Sequence, residues 1–306
     1  MTEGIEKILD SMDIASRAMK VTFHKGVGAT RRSRDAAAEQ LVRSNLGDEG
    51  QIVTRRLFTD PQGIIAKRQE LANQMYSYHI SRTLPHGDDG SRLLPNELYF
   101  DYVQDMGSFE QRISAADVQI IGSYQQLVAE DVVRRNAALA RQGKPQTAAP
   151  ADYPDAQRMA AYLYVNWVIE PIPTANDFRY AVAQSVKDKL AARQQEMVAA
   201  ANVDLLNRMM EPMKRFVEKL AVPIGDEGSV FRNTLVENIN DLTEELPKFN
   251  FTDDPKITAA IAELKSVITP YAFNPNLLRE QPEIRESAKE KMDALLKKFD
   301  DYKLGV

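Results

Sequence analysis

The sequence predicts a mainly α-helical chain: a long helical hairpin and a helical bundle with a small N-terminal α+β unit. Three observations carry this. Leu98, Tyr102, Met106, Phe109, Ile113, Ala116, Ile120, Tyr124 and Leu127 recur at spacings of 3 and 4, the coiled-coil-like seam of a long helix. Ile257, Ile261, Leu264 and Ile268 form a further face of the same period after Asp254-Pro255, and Pro282 begins a last helix that reaches about Tyr302. Near the N-terminus the period falls to two, where Met19, Val21 and Phe23 alternate with Lys20, Thr22 and His24, the pattern of a half-buried strand.

Taken in order, Ile5, Ile8, Leu9 and Met12 form one face of a helix over 2–17. The strand at Met19–Phe23 ends at Gly26 and Gly28, and Ser33 or Asp35 can cap a short helix to about Ser44. A second strand is expected in QIVTRRLF, residues 51–58. Asp60-Pro61 has the form of a helix start, with a capping residue before Pro, and that helix runs to about Arg82. LPHGDDGSRLLP then reads as a loop, because two Pro and two Gly punctuate it. From Pro95 the long helix runs to about Arg141. GKPQTAAPADYP is the linker candidate, and AYLYVNWVIEPIP holds a helix end and a strand. A second long helix starts near Asp177 and runs past Leu205, with Pro212 expected to kink or break it. Three more helices start near Ser229, at Asp254-Pro255 and at Pro282. The expected division is 1–94 (α+β unit with its polar loop), 95–220 (two long helices forming a hairpin) and 221–306 (C-terminal bundle). An apolar stripe on each long helix needs a partner, within or between chains, so self-association is expected.

The composition narrows the chemistry. With 43% hydrophobic residues among 306 the chain has enough apolar material for a substantial core. The absence of cysteine excludes disulfides, thiolate metal sites, iron–sulfur clusters and cysteine nucleophiles, and fits a reducing compartment. No apolar run reaches the roughly 18 residues of a membrane span, and acidic residues interrupt the N-terminal apolar positions, so neither a membrane segment nor a secretory signal is expected. Charge is unevenly spread. Between Ile14 and Arg82 there are 12 Lys and Arg against 6 Asp and Glu, whereas from Asp226 to Val306 there are 11 against 16. A basic front and an acidic back follow.

Catalytic and metal motifs are incomplete. KGVGATRRS lacks the P-loop spacing, and the third glycine of a dinucleotide fingerprint falls on Arg31. His24, His79 and His86 share no ligand spacing, and HGDDG lacks the alternation and distal Glu of a calcium loop. Asp88-Asp89 and Asp253-Asp254 are explained as turn and capping residues. The expectation is therefore a protein without catalytic residues, metal or cofactor.

What remains is a basic and aromatic set. Lys20, Lys25, Arg31, Arg32, Arg34, Arg55 and Arg56 lie on or beside the two proposed strands. Tyr76, Tyr78, His79, Arg82 and Arg92 flank the polar loop. Cations neutralise phosphates while rings stack on unpaired bases, so single-stranded nucleic acid is the expected ligand. The bland alternative is an ordinary solvated surface with one of the two tyrosines in the core.

YHISRTLPHGDDGSRLLP (78–95), Tyr153-Pro154, EPIPTANDFR (170–179) and FRNTLVENINDLTEELPKFNFTDDP (231–255) together resemble a family of uncharacterised tailed-bacteriophage proteins. That family is similar to a domain of unknown function encoded near MoxR-type ATPases and von Willebrand factor A proteins. The matches spread over most of the chain. The family pattern has an aromatic near His86, where this chain has none, so no stacking role is carried to that position. The resemblance implies the cytoplasm of an infected bacterium, and either phage DNA metabolism or support of an AAA+ ATPase. The leading expectation is a non-enzymatic, oligomeric protein that binds single-stranded nucleic acid. The alternative is a structural or adaptor protein that docks an ATPase or another phage or host protein through its long helices.

Overall fold

The structure is a computed structural model and describes residues 14–26, 32–34, 36–47, 54–56, 58, 60, 62–87, 90–172, 184–226 and 232–304. In chain order the elements are α1 (Ile14–Arg17), β1 (Ala18–Lys25), β2 (Arg32–Arg34), α2 (Ala36–Leu46), β3 (Thr54–Arg56) and α3 (Ile64–Arg82). Then come β4 (Leu84–Pro85), β5 (Arg92–Pro95), α4 (Tyr99–Arg141), α5 (Ala156–Ala160), β6 (Val165–Pro171) and α6 (Gln184–Ala221). The last four are α7 (Asn233–Glu245), α8 (Pro255–Phe273), α9 (Leu277–Glu280) and α10 (Pro282–Leu304). The fold is mainly α, with a small antiparallel sheet of order β4-β5-β1-β6 and a separate two-stranded ribbon, β2-β3.

The chain forms two compact units, which cut across the expected boundaries: residues 1–22, 81–100 and 169–306 form one, and 23–80 with 101–168 the other. The two long helices thus fall in different units, α4 almost wholly in the second and α6 in the first.

In the first unit β1 pairs with β5 in the register Ala18↔Pro95 to Val21↔Arg92, and β5 pairs with β4. The expected polar loop is therefore a hairpin. Its prolines are compatible with pairing because Pro85 lies on the edge strand and Pro95 closes β5. Helix α6 packs along α10, α7 and β4, and α8 packs on α7 and α10. The core includes Met209, Met213, Phe216, Ile239, Leu264 and Phe299. Pro212 does not break α6, which is continuous to Ala221: buried Met209, Met210, Met213 and Phe216 hold the helix across the one backbone hydrogen bond that proline removes. Asp254 caps α8 as expected, accepting from the Lys256 and Ile257 amides. Arg285, buried with no carboxylate partner among the described residues, donates to the carbonyls of Lys219, Leu220 and Val222 at 2.7–3.0 Å, and so closes the C-terminus of α6.

In the second unit Phe58, Ile64, Ile65, Ile120, Tyr124, Leu127, Val128, Tyr153 and Met159 form one cluster. Helix α3 begins later than Asp60-Pro61: Gly63 turns at φ 68° and the Asp60 carboxylate accepts from the Ala66 amide at 2.8 Å. The expected linker is no free tether. The Asn136 amide exchanges two 3.0 Å hydrogen bonds with the Ala148 backbone, the Tyr153 hydroxyl donates to buried Asp131 at 2.5 Å, and the Tyr124 hydroxyl donates to the Pro154 carbonyl at 2.5 Å. These bonds fasten 148–154 along the end of α4. Among the described residues no helix is long and apolar enough to cross a membrane. The expected helix over 2–17 lies outside the described residues except for 14–17, as does most of QIVTRRLF, of which Thr54–Arg56 form β3.

Candidate nucleic-acid interface

The ribbon joins two sequence-distant clusters. Residues expected to precede or cap a helix, Arg32–Arg34, are instead a strand, and its antiparallel register is Arg32↔Arg56, Ser33↔Arg55 and Arg34↔Thr54. Four of the six residues are arginine. Facing residues in such a ladder stand about 4.5–5.5 Å apart, and like charges directly opposite are destabilising. The backbone register sets Arg32 opposite Arg56. Arg31 lies outside the described residues.

Six residues before β2, the chain leaves β1 at a constructed corner. The Gly26 amide donates to the Tyr164 carbonyl at 2.8 Å. A side chain at Gly26 would collide with the Tyr162 carbonyl oxygen and the Tyr164 ring, so the strand-end glycine is required by close approach. Arg68, 2% exposed, ties this corner together. It donates to the Gly26 carbonyl and the Asp117 carboxylate at 2.8 Å each, and to the Tyr164 carbonyl at 3.2 Å. Beside it Lys25 donates to Asn73 at 2.9 Å and stands 4.8 Å above the Tyr76 ring. Burial, with the nearby Arg68 charge, lowers the Lys25 pKa.

The aromatic candidates part ways. Tyr76 is 43% exposed, with Phe23 5.7 Å from its ring. Tyr78 is half-buried, stacked 6.1 Å from Tyr102, with its hydroxyl 3.4 Å from the Asp101 carbonyl. His79 is buried at 1% exposure, bonded through Nδ1 to the Tyr102 hydroxyl at 2.8 Å and stacked on Phe23; it offers no face to a ligand. The other candidates belong to the first unit and are engaged there. Lys20 lies 3.8 Å from Glu170 and Arg82 lies 2.9 Å from Glu245. Arg92 donates to the Thr83 hydroxyl and carbonyl at 2.7 and 2.9 Å, bracing the β4-β5 hairpin.

Arg68 is not among the residues that composition singles out, yet a signal for it exists. Ile64, Arg68, Leu71, Met75 and His79 occupy one helical stripe, so Arg68 and His79 are polar residues at core positions. Asp131 carries the same signal, following Tyr124 and Leu127 in the seam of α4. Burial, with Asp131 as hydrogen-bond acceptor, raises the Tyr153 pKa. Among the described residues no group of three or more His, Asp or Glu is placed to hold a metal ion.

No protein-family model, curated protein or solved structure matches the chain.

Proposed function

We propose that this protein binds single-stranded nucleic acid through the β2-β3 ribbon, without chemistry of its own. The observation that supports this reading best is the register, which sets Arg32 against Arg56 with Arg34 and Arg55 alongside. Exposed Tyr76 under Lys25 supplies a ring beside a cation at the corner from which the chain departs for the ribbon. Phosphate contacts by such residues are independent of sequence, and a ring accepts any base. The resemblance to tailed-bacteriophage proteins adds the setting of phage DNA metabolism in an infected bacterium.

Binding of a labelled single-stranded oligonucleotide across a salt series tests this. The logarithm of affinity should fall linearly with the logarithm of salt concentration. Replacing Arg32, Arg34, Arg55 and Arg56 by Gln should flatten the slope by about 0.7 for each phosphate that is no longer neutralised. An unchanged slope and affinity in that variant would reject the ribbon as the binding element.

A further inference from the structure

We infer that the outward face of α4 is a self-association surface on which a second copy of this chain lies antiparallel. This inference is independent of the ribbon. Between Gln104 and Ala140 the exposed face opposite the core seam runs through Ala115, Val118, Gly122 and Val133 and carries no charge. Val118 and Val133 are each 69% exposed. Exposed Gln104, Ser108, Gln111, Gln125 and Gln126 share this face, so it is polar and uncharged in a chain that is 27% charged, with two valines open to a partner.

The rim of the stripe says what covers it. At 100° per residue, Asp101, Asp105, Arg112, Glu130 and Arg141 fall along one flank, and all five are exposed. None is in an ion pair with another described residue: Arg112 lies 5.5 Å from the Phe109 ring, Glu130 accepts from neutral Gln126, and Arg141 donates to a carbonyl of its own helix. An antiparallel copy related by a two-fold axis brings like flanks together and opposes residues equidistant from the axis. Asp101 and Arg141 are equidistant from residue 121, and so are Arg112 and Glu130. Both pairs are of opposite sign, so one axis position satisfies both. Asp101 of each copy meets Arg141 of the other, and Arg112 meets Glu130. A parallel copy would instead set this flank against the opposite one, which carries Val103, Val132 and Leu139 with Glu110 as its exposed charge, and would pair at most one of these charges. Gly122 lies beside the axis, where an added Cβ would meet nothing in its own chain, so two backbones can approach closely there. The paired length from residue 101 to 141 is about 60 Å.

Sedimentation equilibrium on the full chain should give a dimer. Arg112→Glu and Glu130→Arg should each weaken it about tenfold, because each reversal sets two like-charge contacts across the axis. The double variant should restore it. Those two residues are too far apart within one chain to meet, so rescue reports contact between copies. Far-ultraviolet circular dichroism on every variant separates loss of dimer from loss of fold. Because the chain lacks cysteine, orientation can be read directly by mixing a Ser108→Cys chain with a tagged Val133→Cys chain. The expected disulfide joins unlike chains. A monomer at high micromolar concentration, a dimer indifferent to both charge reversals, or disulfides that join like chains only would each overturn the inference. Oligonucleotide binding is read separately, so either proposal can fail alone.

Discussion

In the four-stranded sheet, basic residues meet acceptors. Lys20 stands by Glu170 across β1 and β6, and Arg92 places its guanidinium on Thr83. In the ribbon, the backbone register sets Arg32 opposite Arg56, Ser33 opposite Arg55 and Arg34 opposite Thr54. The same side-chain chemistry therefore serves two ends. Where a carboxylate or carbonyl faces the cation, the cation holds the fold. Where backbone pairing sets like residues at opposing positions, as with Arg32 and Arg56, like charge is unfavourable in isolation, which is the ground for the anionic ligand proposed above. Arg68 is the extreme of the first kind, since three acceptors surround it in the interior.

The contrast between enclosed and facing arginines predicts its largest effect at Arg68. Arg68→Met strands a partly buried carboxylate and two carbonyls, and should destabilise the protein by about 2–4 kcal/mol, read by urea denaturation. A loss below about 1 kcal/mol would mean that the corner does not depend on Arg68. Next in size, Gly26→Ala forces a methyl into the Tyr162 carbonyl and the Tyr164 ring and should cost about 1–3 kcal/mol in the same measurement. The ribbon variant with four Gln in place of Arg probes the contrast from the other side. It should leave stability unchanged or raise it by less than about 1 kcal/mol, whereas its salt-dependent binding falls. A marked loss of stability would show that these arginines support the fold as Arg68 does.

The smallest effect is a pH dependence. Burial raises the Tyr124 pKa to about 12 from 10.0, with Asp155 and Tyr153 adding to the shift, and the neutral hydroxyl donates to Pro154. A folded-state pKa above the unfolded one means stability that is complete below pH 10 and is lost as pH rises toward 12. Stability of the wild type should decline through that window, and Tyr124→Phe should decline less. Equal slopes would remove Tyr124 as the cause.

Helix positions are legible wherever the signal is local. Asp254-Pro255 and Pro282 start helices because a cap and a fixed φ act within one turn, and the seam from Tyr102 to Leu127 lies along a single helix. The hairpin at 84–95 is illegible because its strands are two and four residues long and contain proline; pairing with β1, some 70 residues earlier in the chain, makes them strands. Half of the candidate site is visible as composition. The arginine clusters can be seen, but their pairing cannot, because nothing within RSR or TRR selects the other. His79 misleads for a related reason: its exposure depends on Tyr102 and Phe23, which come from other elements.

Local sequence alone specifies the long helices, the start sites of the last two long ones, the basic front and the excluded thiol chemistry. Those properties follow from period, capping and composition, which act over a few residues or over none. Tertiary structure decides which arginines are enclosed and which face one another, that Pro212 sits inside an unbroken helix, and that 148–154 is fastened rather than free. Each of these depends on an acceptor or an apolar surface supplied from elsewhere in the chain. The cost of burying a charge, bending a helix or ordering a linker is offset only once that partner is in place.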